Sequence, residues 1–170
     1  MPARHVLVAL LNAEQEFQQL QAADARTAAS RLGISAQIVF AEGHAVVQIQ
    51  QLFAHVHAEP GSRPDAIIVE SVTGEGLQRV ARNATSLGIG WILLNTRAPY
   101  IAELRRLNPS LPICAVSGDQ TEIGRIQARQ CLASLPGLSR VLVIQGPADT
   151  TVASERLAGL DAELGPHGVT

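Results

Sequence analysis

The chain has no lysine: every one of its 13 basic residues is arginine. This removes the amine that a Schiff-base mechanism needs and the lysine that ends a phosphate-binding Gly-rich loop. Charged residues make up only 16% and the formal net charge is −2, so no strong field draws the protein to nucleic acid or to an anionic membrane. Cysteine is nearly absent, and Cys114 and Cys131 lack the paired spacing of a zinc site or a redox motif. They read as buried thiols that pack as small hydrophobes. Aromatic residues are 3% of the chain, which leaves few rings on which a ligand could stack. No apolar run is long enough to span a bilayer.

What is present is a foldable core. Apolar residues make up 46% of 170 positions, a composition that excludes disorder and a length that suits one ordinary domain. The start, His5-Val6-Leu7-Val8-Ala9-Leu10-Leu11, imitates a signal peptide, but Asn12, Glu14 and Glu16 end it and no small-residue cleavage site follows. It reads as a first strand. Further short Val/Ile/Leu runs predict strands near 35–40, 66–70, 90–95, 113–117 and 140–145. Amphipathic stretches predict helices near 15–32, 44–58, 75–87, 121–134 and 152–164. Phe17, Leu20, Ala23, Ala28 and Leu32 give the first helix its apolar spacing, and Gly33 stops it. Residues 96–112, with Pro99, Pro109 and Pro112 around an Arg-rich segment, read as a surface insertion. The alternation predicts an α/β fold with a doubly wound, Rossmann-like parallel sheet.

In such sheets ligands gather beyond the carboxyl ends of the strands. The residues delivered there are Asn12, Glu14, Gln15 and Phe17; Glu70, Ser71 and Thr73; Asn95, Thr96 and Arg97; Asp119 and Gln120; and Asp149, Thr150 and Thr151. This rim of amides and hydroxyls suits a neutral polyol. Each residue alone is better explained as a loop or helix cap, so the argument lies in their convergence. Of the few aromatics, Phe17 and Tyr100 fall near the rim, while Trp91 reads as core.

Other chemistries find little support. Thr73-Gly74-Glu75-Gly76 reads as a turn, and no dinucleotide fingerprint follows the first strand. His55 and His57, two apart on a helix, point to different faces and make no metal pair. No nucleophile elbow is present. Glu14 with Glu16, or Glu70 with Asp119, are the only carboxylate pairs to weigh for glycoside chemistry. No enzyme activity, cofactor or metal is expected.

The chain resembles the periplasmic sugar-binding proteins of bacterial transporters, the ribose-binding type above all, whose fold is shared by the effector domains of lac-repressor-like regulators. The similarity runs through Glu14-Gln15-Glu16-Phe17 after the first strand, Pro64 to Val69, and Leu87-Gly88-Ile89-Gly90-Trp91-Ile92-Leu93-Leu94-Asn95. It is sharpest at Ser117-Gly118-Asp119-Gln120 with Gly124, which resembles the family's first crossing between lobes. Gln145-Gly146-Pro147 and Ala153-Ser154-Glu155-Arg156 through Gly159 resemble the opening of the second lobe.

The resemblance implies a first lobe over 1–118, a crossing and helix over 119–137, and an incomplete second lobe over 138–170, completed by another segment or by a second copy in a homodimer. It implies ligand contacts at Gln15, Phe17, Asn95, Thr96 and Ser154, to which adjacency adds Arg97 and the crossing adds Asp119. The ribose-binding pattern has Asn at position 15, Asp-Arg at 95–96 and Arg at 154, so ribose itself is not the expected ligand. The expected function is solute binding for a sugar or similar small neutral polar ligand in partnership with an ABC-type permease. The periplasm is the expected compartment if a leader was removed. The alternative is a cytoplasmic metabolite-sensing regulatory domain. With the second lobe incomplete, weak affinity is expected.

Overall fold

The computed structural model describes residues 4–74, 76–135, 137, 140–146 and 150–169. They form two compact units, Met1–Val116 and Ser117–Thr170. The first is an α/β unit. Its strands are β1 (His5–Leu10), β2 (Ser35–Phe40), β3 (Ala66–Glu70), β4 (Gly90–Leu94) and β5 (Ile113–Val116). Its helices are α1 (Glu16–Leu32), α2 (Ala45–Val56), α3 (Gln78–Ser86) and α4 (Tyr100–Leu107). All strand pairs are parallel, in the order β2-β1-β3-β4-β5. Parallel neighbours need a crossover between them, and here each crossover carries a helix.

Side-chain alternation along the strands divides the core into two layers. Leu7 and Ala9 of β1, Ile67 and Val69 of β3, and Trp91 and Leu93 of β4 face one way. They pack with Leu52 and Val56 of α2, Val80 and Ala84 of α3, and Ile101 and Leu104 of α4. Trp91 is wholly buried, as its place inside a strand suggested. Val8 and Leu10 face the other way and pack with Ala22 of α1.

Two expectations fail in this unit. Residues 96–112 are no surface insertion, because α4 lies within them and buries Tyr100, Ile101 and Leu104 in the main core. Pro99 precedes the helix, where a missing N–H costs nothing, and so opens the helix where it was read as a break. Tyr100, 4% exposed, is therefore core and no platform at the rim. In α1 the larger apolar residues face outward: Phe17 and Leu20 are each 58% exposed, while Gln18, Ala22 and Ala29 are buried. Small side chains bring this helix close to the sheet, and Gln18 is drawn inward by its hydrogen bonds. Gly33 does end α1, with φ +66° and its N–H turned to the carbonyls of Ala29 and Ser30.

At the amino ends of the strands, the His5 N–H donates to Asp65 Oδ2 at 2.6 Å, and His5 Nδ1 lies 3.1 Å from Ser35 Oγ. On α2, His55 is half-buried and His57 exposed, its ring tilted against Phe53. Burial, and then the nearby His5, hold the His55 imidazole below its ordinary pKa.

The second unit contains α5 (Gln120–Ser134) and α6 (Thr151–Leu164). Asp119 caps α5 by accepting the Glu122 N–H at 3.0 Å, and Thr150 caps α6 by accepting that of Ala153 at 3.3 Å. The two helices meet backbone to backbone. A Cβ on Gly124 would collide with the carbonyl oxygen of Arg156, and one on Gly159 with that of Thr121. Ala128, Leu164 and Val169 form a small core beside them.

The strand expected over 140–145 is not formed: residues 140–146 have no ladder partner among the described residues. Leu142 and Ile144 are 89% and 91% exposed. A run of Val, Leu and Ile signals β-propensity, but a strand exists only when a neighbour takes its backbone hydrogen bonds. Pro147 and Asp149, expected in the following loop, lie outside the described residues, as does Glu75, expected in the turn before α3.

Two predictions follow from this packing. Gly124→Ala or Gly159→Ala should destabilise the second unit by about 1–3 kcal/mol, because the obstructing atoms are backbone and cannot rotate away. Chemical denaturation would measure this, and wild-type stability in both variants would refute the close crossing. For His55, the folded state takes up its proton at lower pH than the unfolded chain does. Its contribution is therefore complete above the ordinary imidazole value of about 6.5 and is lost as pH falls through the folded value. Denaturation midpoints should drop less between pH 7.5 and 5 in His55→Gln than in wild type; equal drops would assign the loss to other groups.

Candidate ligand-binding rim

The strand order reverses direction between β1 and β3, since the chain winds outward from β1 to β2 and then crosses back to β3. At such a switch point the loops leaving the carboxyl ends of adjacent strands diverge and open a crevice. The candidate residues of the first unit stand along this edge.

After β1, Asn12 Oδ1 accepts the Glu14 N–H at 2.7 Å and turns the chain toward α1. Gln15 precedes the helix but makes no side-chain cap bond, so its exposed amide has no structural task there. Phe17 presents an exposed ring one turn into the helix. After β4, Asn95 adopts φ +58° and its N–H donates to Val116 O at 2.8 Å. Its side-chain Nδ2 is buried and has no hydrogen-bond partner among the described residues. A left-handed backbone on a residue other than glycine, joined to an unsatisfied amide, is the kind of strain found at functional sites. Thr96 is buried and Arg97 exposed.

Two residues that the sequence did not single out hold these loops in place. Gln18 and Gln48 are each 1% exposed. Gln18 Oε1 accepts the Leu11 N–H at 2.8 Å, and its Nε2 donates to Glu70 Oε2 at 2.8 Å. Gln48 Nε2 donates to the Glu70 carbonyl at 2.8 Å, and its Oε1 accepts the Val72 N–H at 3.0 Å. The two amides thus tie the end of β1 to α1, and the end of β3 to α1 and α2. A buried side-chain amide is tolerated only when its donors and acceptors are met, and here both carbonyl oxygens and both amino groups are engaged. The signal in the sequence was a glutamine at the buried position of each helix's first turn.

In the second unit, Asp119 spends Oδ1 on the α5 cap, and Ser154 Oγ donates back to the carbonyls of Thr150 and Thr151. Among the described residues no hydrogen bond joins Asp119 to Ser154. Arg156 Nε donates to Gln120 Oε1 at 2.7 Å, which ties α6 to the start of α5. A concavity of about 270 Å³ within this unit is walled mainly by Val143, Ile144, Leu157 and Leu160. The structure thus brings Gln15, Phe17, Asn95, Thr96 and Arg97 to one sheet edge, and places Asp119 and Ser154 on the helices of the other unit.

No curated protein matches the chain in sequence. Several solved structures share its fold. A galactofuranose binding protein aligns with TM-score 0.81 at 19% identity, covering 98% of this chain and 54% of its own. The Caulobacter myo-inositol binding protein bound to myo-inositol aligns with TM-score 0.79 at 21% identity, covering 96% and 51%. A Mycobacterium smegmatis ABC transporter solute binding protein with bound glycerol gives 0.82 at 17%, covering 99% and 54%. The chain therefore spans about half the length of the structures it matches. Residues 6–170 match the family model described as the periplasmic binding protein domain, so nearly the whole chain is accounted for, and the chain belongs to that family.

Proposed function

We propose that the chain is a ligand-binding part of a solute-binding protein for a sugar or similar small neutral polyol, which it holds without transforming. The observation that carries this reading is Asn95, whose left-handed backbone and unpaired buried amide stand at the carboxyl end of β4. A hydroxyl oxygen accepting from Nδ2 would satisfy that amide. Gln15 supplies a second exposed amide and Phe17 an apolar face for a sugar ring. Thr96 and Arg97 complete the proposed contact set of the first unit, and Asp119 and Ser154 are proposed contacts carried by the second unit.

Membership in the periplasmic binding protein family and fold relatives crystallised with myo-inositol and glycerol support the ligand class. The implied partner is an ABC-type sugar permease, and the implied compartment is the periplasm. Closure over the ligand would be the signal that the permease reads, because a ligand shifts a conformational equilibrium only by contacts that differ between the states.

Amide chemical shifts of the 170-residue chain, followed during titration with myo-inositol, D-allose and glycerol, test the reading. At least one should shift Phe17, Asn95 and Thr96, with roughly millimolar affinity. Asn95→Gly should remove the response while keeping stability within about 1 kcal/mol of wild type, since glycine adopts the left-handed backbone without strain. Absence of any shift with all three compounds, or an undiminished response in Asn95→Gly, would overturn it.

A further inference from the structure

Residues 140–146 run without helix, turn or bend, and no backbone hydrogen bond joins them to another described residue. All five strands stand in the sheet of the first unit, so this segment of the second has no ladder partner on either edge among the described residues. Its side chains nevertheless alternate as in a half-buried strand. Val141 packs toward the small core of Ala128, Leu164 and Val169, and Val143 is 39% exposed, while Leu142 and Ile144 turn outward at 89% and 91%. Unpaired N–H and C=O groups beside an exposed apolar face are a template for strand addition.

The surroundings narrow what can be added. A concavity of about 520 Å³ opens where the segment meets α5, walled on the helix side by Gln127, Gln130, Cys131 and Leu135, and no charged side chain lines it. An incoming strand must therefore be uncharged where it enters, since a charge buried there would find no counter-ion. It must also be apolar on one face, to continue the surface of Leu142 and Ile144. The segment meets both conditions itself: from Val141 to Gly146 it holds no charged residue, and Arg140 stands at one end. Antiparallel pairing of two such segments about Val143 sets Leu142 of each copy opposite Ile144 of the other. It sets each Arg140 opposite Gly146, at the two ends of the pair, so the guanidinium groups never meet.

We infer that residues 140–146 join two copies of the chain by antiparallel strand pairing about a two-fold axis at Val143, with the groove beside α5 receiving the added strand. Such a contact is closed, because both copies use the same edge, and it replaces two exposed apolar faces by one continuous two-stranded surface. Each Leu142–Ile144 pair occurs twice, which doubles the effect of any change made in it. The inference stands on the backbone and apolar side chains of the second unit and does not rest on the binding role proposed above.

Sedimentation velocity across about 1–200 μM should show the wild-type chain passing from monomer to dimer. Leu142→Glu and Ile144→Lys should each weaken the dimer about tenfold or more, because each sets a charge against an apolar side chain twice in the interface. Both positions are exposed, so both variants should unfold at the wild-type denaturant concentration. An equimolar mixture of the two should regain association to within about threefold of wild type, since the acid on one copy then faces the base on the other and the second pair is still leucine with isoleucine. A wild-type chain that stays monomeric to the top of the range would overturn the inference. So would a dimer that the single variants leave intact, or one that the mixture does not restore, because the interface or its register would then lie elsewhere. Amide exchange gives an independent reading: protection at 141–145 should rise with protein concentration, and full protection in the dilute monomer would sink the inference by showing that the chain covers its own segment.

Discussion

The rim of the first unit depends on two buried glutamines. A parallel sheet ends in loops whose N–H and C=O groups have no ladder partner, and the loops after β1 and β3 are the ones a switch-point ligand must meet. Gln18 and Gln48 reach those loops from the first turns of α1 and α2 and take up the N–H groups of Leu11 and Val72 and both the carboxylate and carbonyl of Glu70. Replacing either amide by an apolar side chain would strand several buried polar groups at once, each worth about 1–3 kcal/mol. The glutamines fix where the loops after β1 and β3 stand.

The same arrangement explains what the sequence could and could not reveal. The central strands β1, β3 and β4 were legible because a strand buried on both faces is rich in Val, Ile and Leu, and the edge strands β2 and β5, more exposed, were legible from the shorter apolar runs Ile38-Val39-Phe40 and Ile113-Cys114-Ala115-Val116. Helix faces were less legible. In α1 the larger apolar side chains point outward and Gln18 inward, because a close approach to the sheet requires small residues and an amide that finds partners. Neither condition shows in hydrophobic spacing. The segment around α4 failed for a different reason: proline reads as an interruption, yet at the start of a helix it is favourable. Residues 140–146 show the opposite error, since strand propensity there is strong and the partner that would make it a strand is not among the described residues.

For the site, Asn95 was legible from strand placement and from family resemblance, but its left-handed backbone and its unpaired amide are properties of the folded chain that composition does not record. Gln18 and Gln48 left only a faint signal, their place in the first turn of a helix, because a glutamine on a helix is ordinarily solvated. Glu70 was seen as a rim residue, but what distinguishes it from Glu14 and Glu16 is its anchoring from α1 and α2, a tertiary fact.

The motifs that carried the resemblance divide by role along the chain. In the first unit they mark the buried strands β3 and β4 and the turns that follow β1 and β4. In the second unit they mark how two helices join. Gly124 and Gly159 are required because each lies against the other helix's backbone, with no room for a Cβ. Gln120 and Arg156 add a side-chain hydrogen bond between α5 and α6, and Arg129 of α5 forms an ion pair with Glu163 of α6 at 3.6 Å. Asp119 begins α5 by taking the Glu122 N–H. A motif that survives as recognisable sequence can thus encode packing as readily as chemistry, and the two are separated by asking where each polar atom's hydrogen bond goes. For Asp119 Oδ1 and Ser154 Oγ the answer is the backbone of their own helix; for the buried Asn95 Nδ2 no described residue supplies one.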